Sequence, residues 1–306
     1  MEKFDLGIAY LWEYDKDFVD LIEREMQTRG VSTFIVGAHN VHEVTAKVIH
    51  KELFFNFFLD RASDVDDDFL PLATALTRKK CNIFNPYKRI QHAIDKATMH
   101  LEFITAGIHV PYSFIMPPYS ETSDVYLSIS DLAHLGRPFI IKPCNTTGGG
   151  IGVVTGAETL EEVIAERPNH YHDKYILQQK IFPAILHGKR AWFRCFWAFG
   201  KPIPTWWDDE THLYTILTPE EISAFKLKRL YSITKTIATL TGLDFFSTEI
   251  VLADDGQFYA IDYVNDQCDM RFQSAHYDGV PDGIIREIVT TMRKKTISMK
   301  KKLHLD

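Results

Sequence analysis

Cysteine is scarce in this 306-residue chain: Cys81, Cys144, Cys195 and Cys268 stand far apart, with no CxxC or CxH spacing. That pattern argues against a disulfide scaffold or a cysteine zinc centre and for free thiols in a reducing, cytoplasmic compartment. Long apolar runs are also missing. Blocks such as 8–12 and 195–199 are soon interrupted, well short of the roughly 18 residues of a membrane span. The opening Met1-Glu2-Lys3-Phe4 has no basic stretch leading into an apolar one, so neither a leader nor a membrane partner is expected. Positive charge is not in surplus either: 34 Lys and Arg against 41 Asp and Glu give −7, which offers a nucleic-acid partner no general attraction. Glycine is sparse at 16, yet four glycines fall within positions 148–152. A chain that spends glycine in one place usually needs backbone freedom there.

Three features read as ordinary structure. His170 and His172 lack a nearby third metal ligand and fit a surface loop. The run Asp64 to Asp68 lacks the glycine and terminal glutamate of a calcium loop and fits an acidic helix start. The basic tail around Lys300, Lys301 and Lys302 fits a solvated helix end.

The hydrophobic pattern predicts an α/β opening lobe. Strands are expected at 4–11, 31–36 and 53–59, with helices at 17–29 and 42–51 between them, an order that implies a parallel sheet. The prolines at 111, 117 and 118 mark a lobe junction between about 85 and 120. A helix over 128–135 stops at Gly136, and a strand from Pro138 to Lys142 runs into the glycine cluster. Thr218-Pro219-Glu220-Glu221 starts a helix whose apolar stripe (Ile222, Phe225, Leu230, Ile233, Ile237, Leu240) is expected to continue to Gly242. Strands at 245–252 and 258–264 flank the hairpin signal Asp254-Asp255-Gly256. Three units follow: 1–86, 87–181 with the glycine cluster, and 182–306.

Two groups of residues carry chemistry. In the first, Lys142 precedes Thr147, Gly148, Gly149 and Gly150, a run of unobstructed N–H donors able to wrap phosphate oxygens. No Gly-Lys-Ser/Thr follows, as a Walker loop requires, and a strand at 152–154 follows instead of a helix. The loop therefore reads as a hairpin flap over phosphate, with a flexible linker as the alternative. In the second group, Glu249 and Asp262 fall on the two arms of the hairpin, each within apolar residues. Antiparallel pairing brings them side by side, where two anions need a cation between them. Oxygen ligands favour Mg2+, with nucleotide phosphates completing the shell. The alternative is a strand pair with unrelated polar positions.

With these pieces in order, the chain resembles the ATP-grasp superfamily, in the carboxylate–amine ligase branch that includes D-alanine–D-alanine ligases and ribosomal-protein glutamate ligases. The resemblance covers about 75–292. It rests on Asn82-Ile83-Phe84-Asn85-Pro86 with Asp95-Lys96, on Gly107-Ile108-His109-Val110-Pro111, on 138–153, on Ile176 to Ile181, and on Glu249, Asp262 and Asn265. It implies an ATP-grasp fold with a parallel N-terminal domain. It also implies ATP contacts from Lys96, Lys142, the flap and the hinge Gln178, Gln179, Lys180 and Ile181. Mg2+ (or Mn2+) would sit on Glu249, Asp262 and Asn265. The implied reaction is ADP-forming joining of a small-molecule carboxylate to an amine, in an enzyme expected to be cytoplasmic and homodimeric.

Two departures stand out. The family commonly reads Glu-x-Asn at the second metal strand, whereas Asp262-Tyr263-Val264-Asn265 carries Asp and one extra residue, which a β-bulge would accommodate. Inositol phosphate kinases of the same superfamily use Asp there, so a small-molecule kinase is an alternative, as is a nucleotide-binding protein without turnover. Ligases often place an arginine at the position of Ser247; Arg194 and Arg271 are the candidate replacements. Trp206 to Glu210 are expected to flank the site and favour a cationic or amine substrate, with an exposed strand-end loop as the alternative.

Overall fold

A computed structural model describes residues 2–145 and 152–304 of the chain. The flap residues Thr147, Gly148, Gly149 and Gly150 lie outside the described residues.

The opening strands β1 (Glu2–Tyr10), β2 (Thr33–Val36), β3 (Leu53–Arg61) and β4 (Asn82–Phe84) alternate with helices α1 (Lys16–Gln27), α2 (Val41–Ile49) and α3 (Leu70–Arg78). They form one sheet in the order β2-β1-β3-β4, parallel throughout. Helices on its faces explain why β3 reads Leu-Phe-Phe-Asn-Phe-Phe-Leu with scarcely an exposed position. Gly7 belongs to this packing, because a Cβ there would stand 2.7 Å from the Phe58 ring. Asp66 caps the turn that enters α3, as the acidic run predicts.

Helices α4 (Tyr87–Ala93) and α5 (Lys96–Thr105) lead into a second sheet. It contains β5 (Ser113–Met116), β6 (Phe139–Pro143), β7 (Val154–Ala157) and β8 (Tyr175–Gln179) in the order β5-β8-β6-β7, with α6 (Ile129–Leu135) and α7 (Leu160–Glu166) between strands. The expected strand after the glycines starts at Val154 and pairs antiparallel with β6, so the two strands bracket the flap segment as a hairpin does.

A short ribbon, β9 (Ile185–Leu186) with β10 (Lys189–Arg190), precedes the third sheet. That sheet is antiparallel and contains β11 (Trp192–Ala198), β12 (Lys201–Trp207), β13 (Tyr214–Thr215), β14 (Phe245–Leu252) and β15 (Phe258–Asn265), in the order β13-β12-β11-β14-β15. The helix expected from 219 to 241 is two helices, α8 (Pro219–Ala224) and α9 (Arg229–Thr241). The apolar stripe explains the break, since Phe225 to Leu230 is a step of five and leaves the helical period. Lys226 takes a left-handed φ of 56°, and the Leu227 N–H closes on the Ile222 carbonyl at 2.9 Å, a Schellman-type stop made without glycine. The Thr218 cap forms as the sequence predicts, with Glu221 returning the bond.

The last helix, α10 (Asp282–Lys302), packs against α1. One core joins residues of the parallel sheet (Leu6, Ile8, Phe57) to the antiparallel sheet (Phe196, Phe245) and to α10 (Ile285, Val289). At roughly 1.5–3 kcal/mol for each fully buried large apolar side chain, this shared core is what holds the first and third sheets together. Buried polar clasps fix their orientation. Arg61 forks onto Asp15 at 2.7 and 2.8 Å and donates to the Cys268 carbonyl at 2.9 Å. Asn85, of the Asn-Pro segment, donates to the Phe245 carbonyl and accepts the Asp244 and Phe245 N–H groups, splicing the end of the first lobe to the start of β14.

Candidate active site

The site is built on rows that cross the third sheet. Arg194 on β11 lies opposite Glu249 on β14, which lies opposite Asp262 on β15. Residues directly opposite in a ladder point to one face. The next row pairs Ser247 with Asn265. Two residues of β14 thus span three of β15, the bulge that Asp262-Tyr263-Val264-Asn265 requires. Because Ser247 and Glu249 share a face, Asp262 and Asn265 share it with them. A second irregularity between Glu249 and Ile250 leaves Ile261 outside the pairing, and its carbonyl accepts Lys142 Nζ at 3.0 Å.

Glu249 is engaged at both oxygens. Arg194 Nη2 binds Oε1 in an ion pair, and Trp192 Nε1 donates to Oε2 at 3.0 Å. The Arg194 guanidinium also stands over Trp207, 4.8 Å from the ring centroid, and its Nη1 reaches Ser247 Oγ at 3.5 Å. The arginine on β11 therefore overlies the serine that departs from the ligase pattern. Arg194 Nε is buried with no partner among the described residues.

Charge confirms that these groups sense one another. Burial raises the Glu249 carboxyl above its ordinary value, with Arg194 opposing and Asp262 adding to the shift. Asp262 is also pushed up by burial, but Lys96, Lys142 and Arg194 outweigh that and hold it below its ordinary value. Lys142 is 5 % exposed; burial lowers its ammonium, Lys96 adds to this, and the two carboxylates resist it. Lys96 opens α5, whose cap Asp95 is ion-paired to Lys174 at 2.5 Å. Five residues predicted from separate segments are thus one electrostatic unit.

The hinge residues are placed differently from one another. Gln178 is 1 % exposed, with its side chain turned into the interior, whereas Gln179, Lys180 and Ile181 are half-buried along the chain leaving β8. Arg271 is held apart from the carboxylate row's hydrogen bonds: Asp269 and Asp278 fork onto its guanidinium, which overlies Trp12 at 5.9 Å. Of the Trp206 to Glu210 segment, Trp207 flanks the site, while Trp206 is buried and donates to Glu221 at 3.0 Å. Asp209 and Glu210 are engaged with Arg190. Trp192 was not anticipated from the sequence; its position two residues before Arg194 on a strand is the signal that places it on the same face.

Among the described residues no group of three His, Cys, Asp or Glu side chains could hold a metal ion by itself. The donors present fit a different arrangement. Two hard carboxylates and the Asn265 amide suit a divalent ion, and the three cationic side chains Lys96, Lys142 and Arg194, the last with a buried Nε that has no partner among the described residues, suit phosphate oxygens completing its shell.

No family model and no curated protein matches the chain in sequence. Its fold has close counterparts among solved structures. A D-alanine–D-alanine ligase from Bacillus anthracis, complexed with ATP, superposes with a TM-score of 0.66 at 14 % identity, over 98 % of this chain and 99 % of that one. A RimK domain ATP-grasp protein from Sphaerobacter thermophilus gives 0.64 at 17 %, over 95 % and 99 %. The ATP-grasp ligase PsnB, complexed with a precursor peptide and AMPPNP, gives 0.62 at 12 %, over 95 % and 98 %. The parallel first sheet followed by antiparallel sheets is therefore the arrangement of the ATP-grasp fold, which this chain adopts along nearly its whole length.

Proposed function

We propose that the chain is an ATP-dependent, ADP-forming carboxylate–amine ligase. The observation that carries this reading is the Arg194–Glu249–Asp262 row, facing the charges of Lys96 and Lys142. In the proposed complex ATP lies between the flap and this row, with backbone groups of 178–181 reading the base. Glu249, Asp262 and Asn265 would hold Mg2+, which supplies charge neutralisation for the phosphates when bound. Lys96, Lys142 and Arg194 offset charge on the transferring phosphoryl group, and Arg194 Nε has a donor to give. A substrate carboxylate attacks the γ-phosphate, ADP leaves, and the acyl phosphate is displaced by an amine with release of phosphate.

Arg194 is assigned the acyl phosphate in preference to Arg271, whose donors already serve Asp269 and Asp278. The thiols take no part: burial pushes those of Cys144 and Cys268 up to about 12, so neither is a ready nucleophile. All four cysteines are free, which supports a cytoplasmic setting. No described helix is long and apolar enough to cross a membrane.

The test is phosphate and ADP release against a panel of carboxylic acids with and without amines, with hydroxylamine as a trap. A trapped hydroxamate supports the ligase. Substrate-dependent ADP formation with no hydroxamate would favour a small-molecule kinase, the reading that Asp262 on the second metal strand supports. Mg-ATP binding with no turnover on any pair would favour a nucleotide-binding protein.

A further inference from the structure

Behind the carboxylate row lies a buried polar node that the phosphate chemistry does not use. Tyr263, one residue past Asp262, is 0 % exposed and sits in the core between α5, β11 and β14. Gln178 Nε2 donates to its hydroxyl at 3.1 Å, and His100 Nδ1 lies 2.8 Å from the same oxygen. Burial, reinforced by Lys142, pushes the His100 imidazole down to about 4, so the ring is neutral, and with Gln178 donating to the phenol oxygen the phenol O–H is assigned as donor to Nδ1. Ser113 on β5 also bonds to this hydroxyl and accepts from Gln178 Nε2 at 3.4 Å, so the phenol joins β8 and β5 through β15 to α5.

The elements joined in this way each carry part of the proposed nucleotide site. Gln178 begins the hinge, His100 stands one turn beyond Lys96 on α5, and Tyr263 adjoins Asp262. The face of the Tyr263 ring receives the Lys142 ammonium, 5.6 Å from the centroid, while the ammonium donates to the Ile261 carbonyl. A cation held between a ring face and a carbonyl is as well fixed as the ring itself. Hydrogen bonds to Gln178, Ser113 and His100 at the phenol oxygen fix that ring, and satisfied buried networks are rigid.

We infer that Tyr263 is a positioning residue: its hydroxyl, clamped by Gln178 and His100, sets the ring that aims Lys142 at the phosphate site and ties the hinge strand to the metal strand. The inference rests on the nucleotide reading given above.

Equilibrium binding of Mg-AMPPNP to the full chain tests it. Tyr263→Phe keeps the ring and deletes the clamp, and should weaken binding about fivefold to tenfold, the scale of one buried hydrogen bond. Lys142→Met should weaken it further, and adding Tyr263→Phe to Lys142→Met should then change little, because the phenol acts through the lysine. On the other side of the clamp, His100→Leu should reproduce the Tyr263→Phe loss, while His100→Asn, whose amide oxygen can replace Nδ1 as acceptor, should restore binding. The His100 pair decides the matter if Tyr263→Phe does not fold. Wild-type binding with Tyr263→Phe or His100→Leu unaltered, or independent multiplication of the Tyr263 and Lys142 losses, would overturn the inference alone. Absence of binding by the wild-type chain would overturn the nucleotide reading and this inference with it.

Discussion

Arg194 and Glu249 face each other across β11 and β14 and form an ion pair with both side chains largely buried. Removing one partner of such a pair strands a charge in low dielectric. Arg194→Met should therefore cost on the order of 3 kcal/mol of stability, read by urea unfolding. Adding Glu249→Gln should recover much of that loss while leaving turnover abolished. A fully stable single variant would show that the pair is not the compensation described.

The two carboxylates carry a second, separate expectation. Glu249→Gln and Asp262→Asn should each lower ATP turnover by about a hundredfold or more, since each removes charge that the proposed metal would require. The Glu249 variant should lose stability at neutral pH as well, because it leaves the buried Arg194 guanidinium without its carboxylate. ATP turnover left intact in both variants would end the ligase assignment.

His100 gives the chain an acid sensitivity with a defined window. Its folded value of about 4 lies below the ordinary 6.5, so the unfolded chain takes up the proton first. Stability from this group is complete above pH 6.5 and declines as pH falls from there to about 4, by on the order of 3 kcal/mol. Urea midpoints at pH 7.5 and 4.5 should differ less in His100→Asn than in the parent. An equal pH slope in both would assign the sensitivity elsewhere.

The break between α8 and α9 supplies a stabilising substitution. Lys226 is exposed and holds a φ of 56°, where an L side chain is strained and glycine is not. Lys226→Gly should raise stability by about 0.5–1 kcal/mol, visible as a higher melting temperature. A drop would mean that the lysine side chain holds α8 in place.

How much of this was legible in advance follows from the range of each interaction. Glu249 and Asp262 were readable because a hairpin turn links their strands, and turn chemistry fixes which residues meet. The extra residue before Asn265 could be read as a bulge for the same reason. Helix caps at Ser128 and Thr218 are written within four residues. The break at Lys226 was hidden because the chain stops the helix there without the glycine that normally announces it. Asn85 meets Phe245 across 160 residues, and Tyr263 meets His100 across 163. Nothing in local spacing encodes such meetings; they are decided by which sheets pack together. The adjacency of β11 and β14, which brings Arg194 over Ser247, is a fact of topology of the same kind.

The unpaired residue at Ile261 decides what its two successors are for. With unbroken pairing from the hairpin turn, Glu249 would oppose Ile261, and Asp262 would point into the core while Tyr263 took the face of Glu249 and Ser247. One additional backbone unit inverts that assignment and turns the carboxylate outward and the phenol inward. Acid and anchor are adjacent letters in the sequence, and their separation into chemistry and scaffold is a matter of strand phase. One further residue inserted between Ile261 and Asp262 would move the carboxylate out of the Glu249 row, whereas deletion of Ile261 would keep it there in an unbroken ladder.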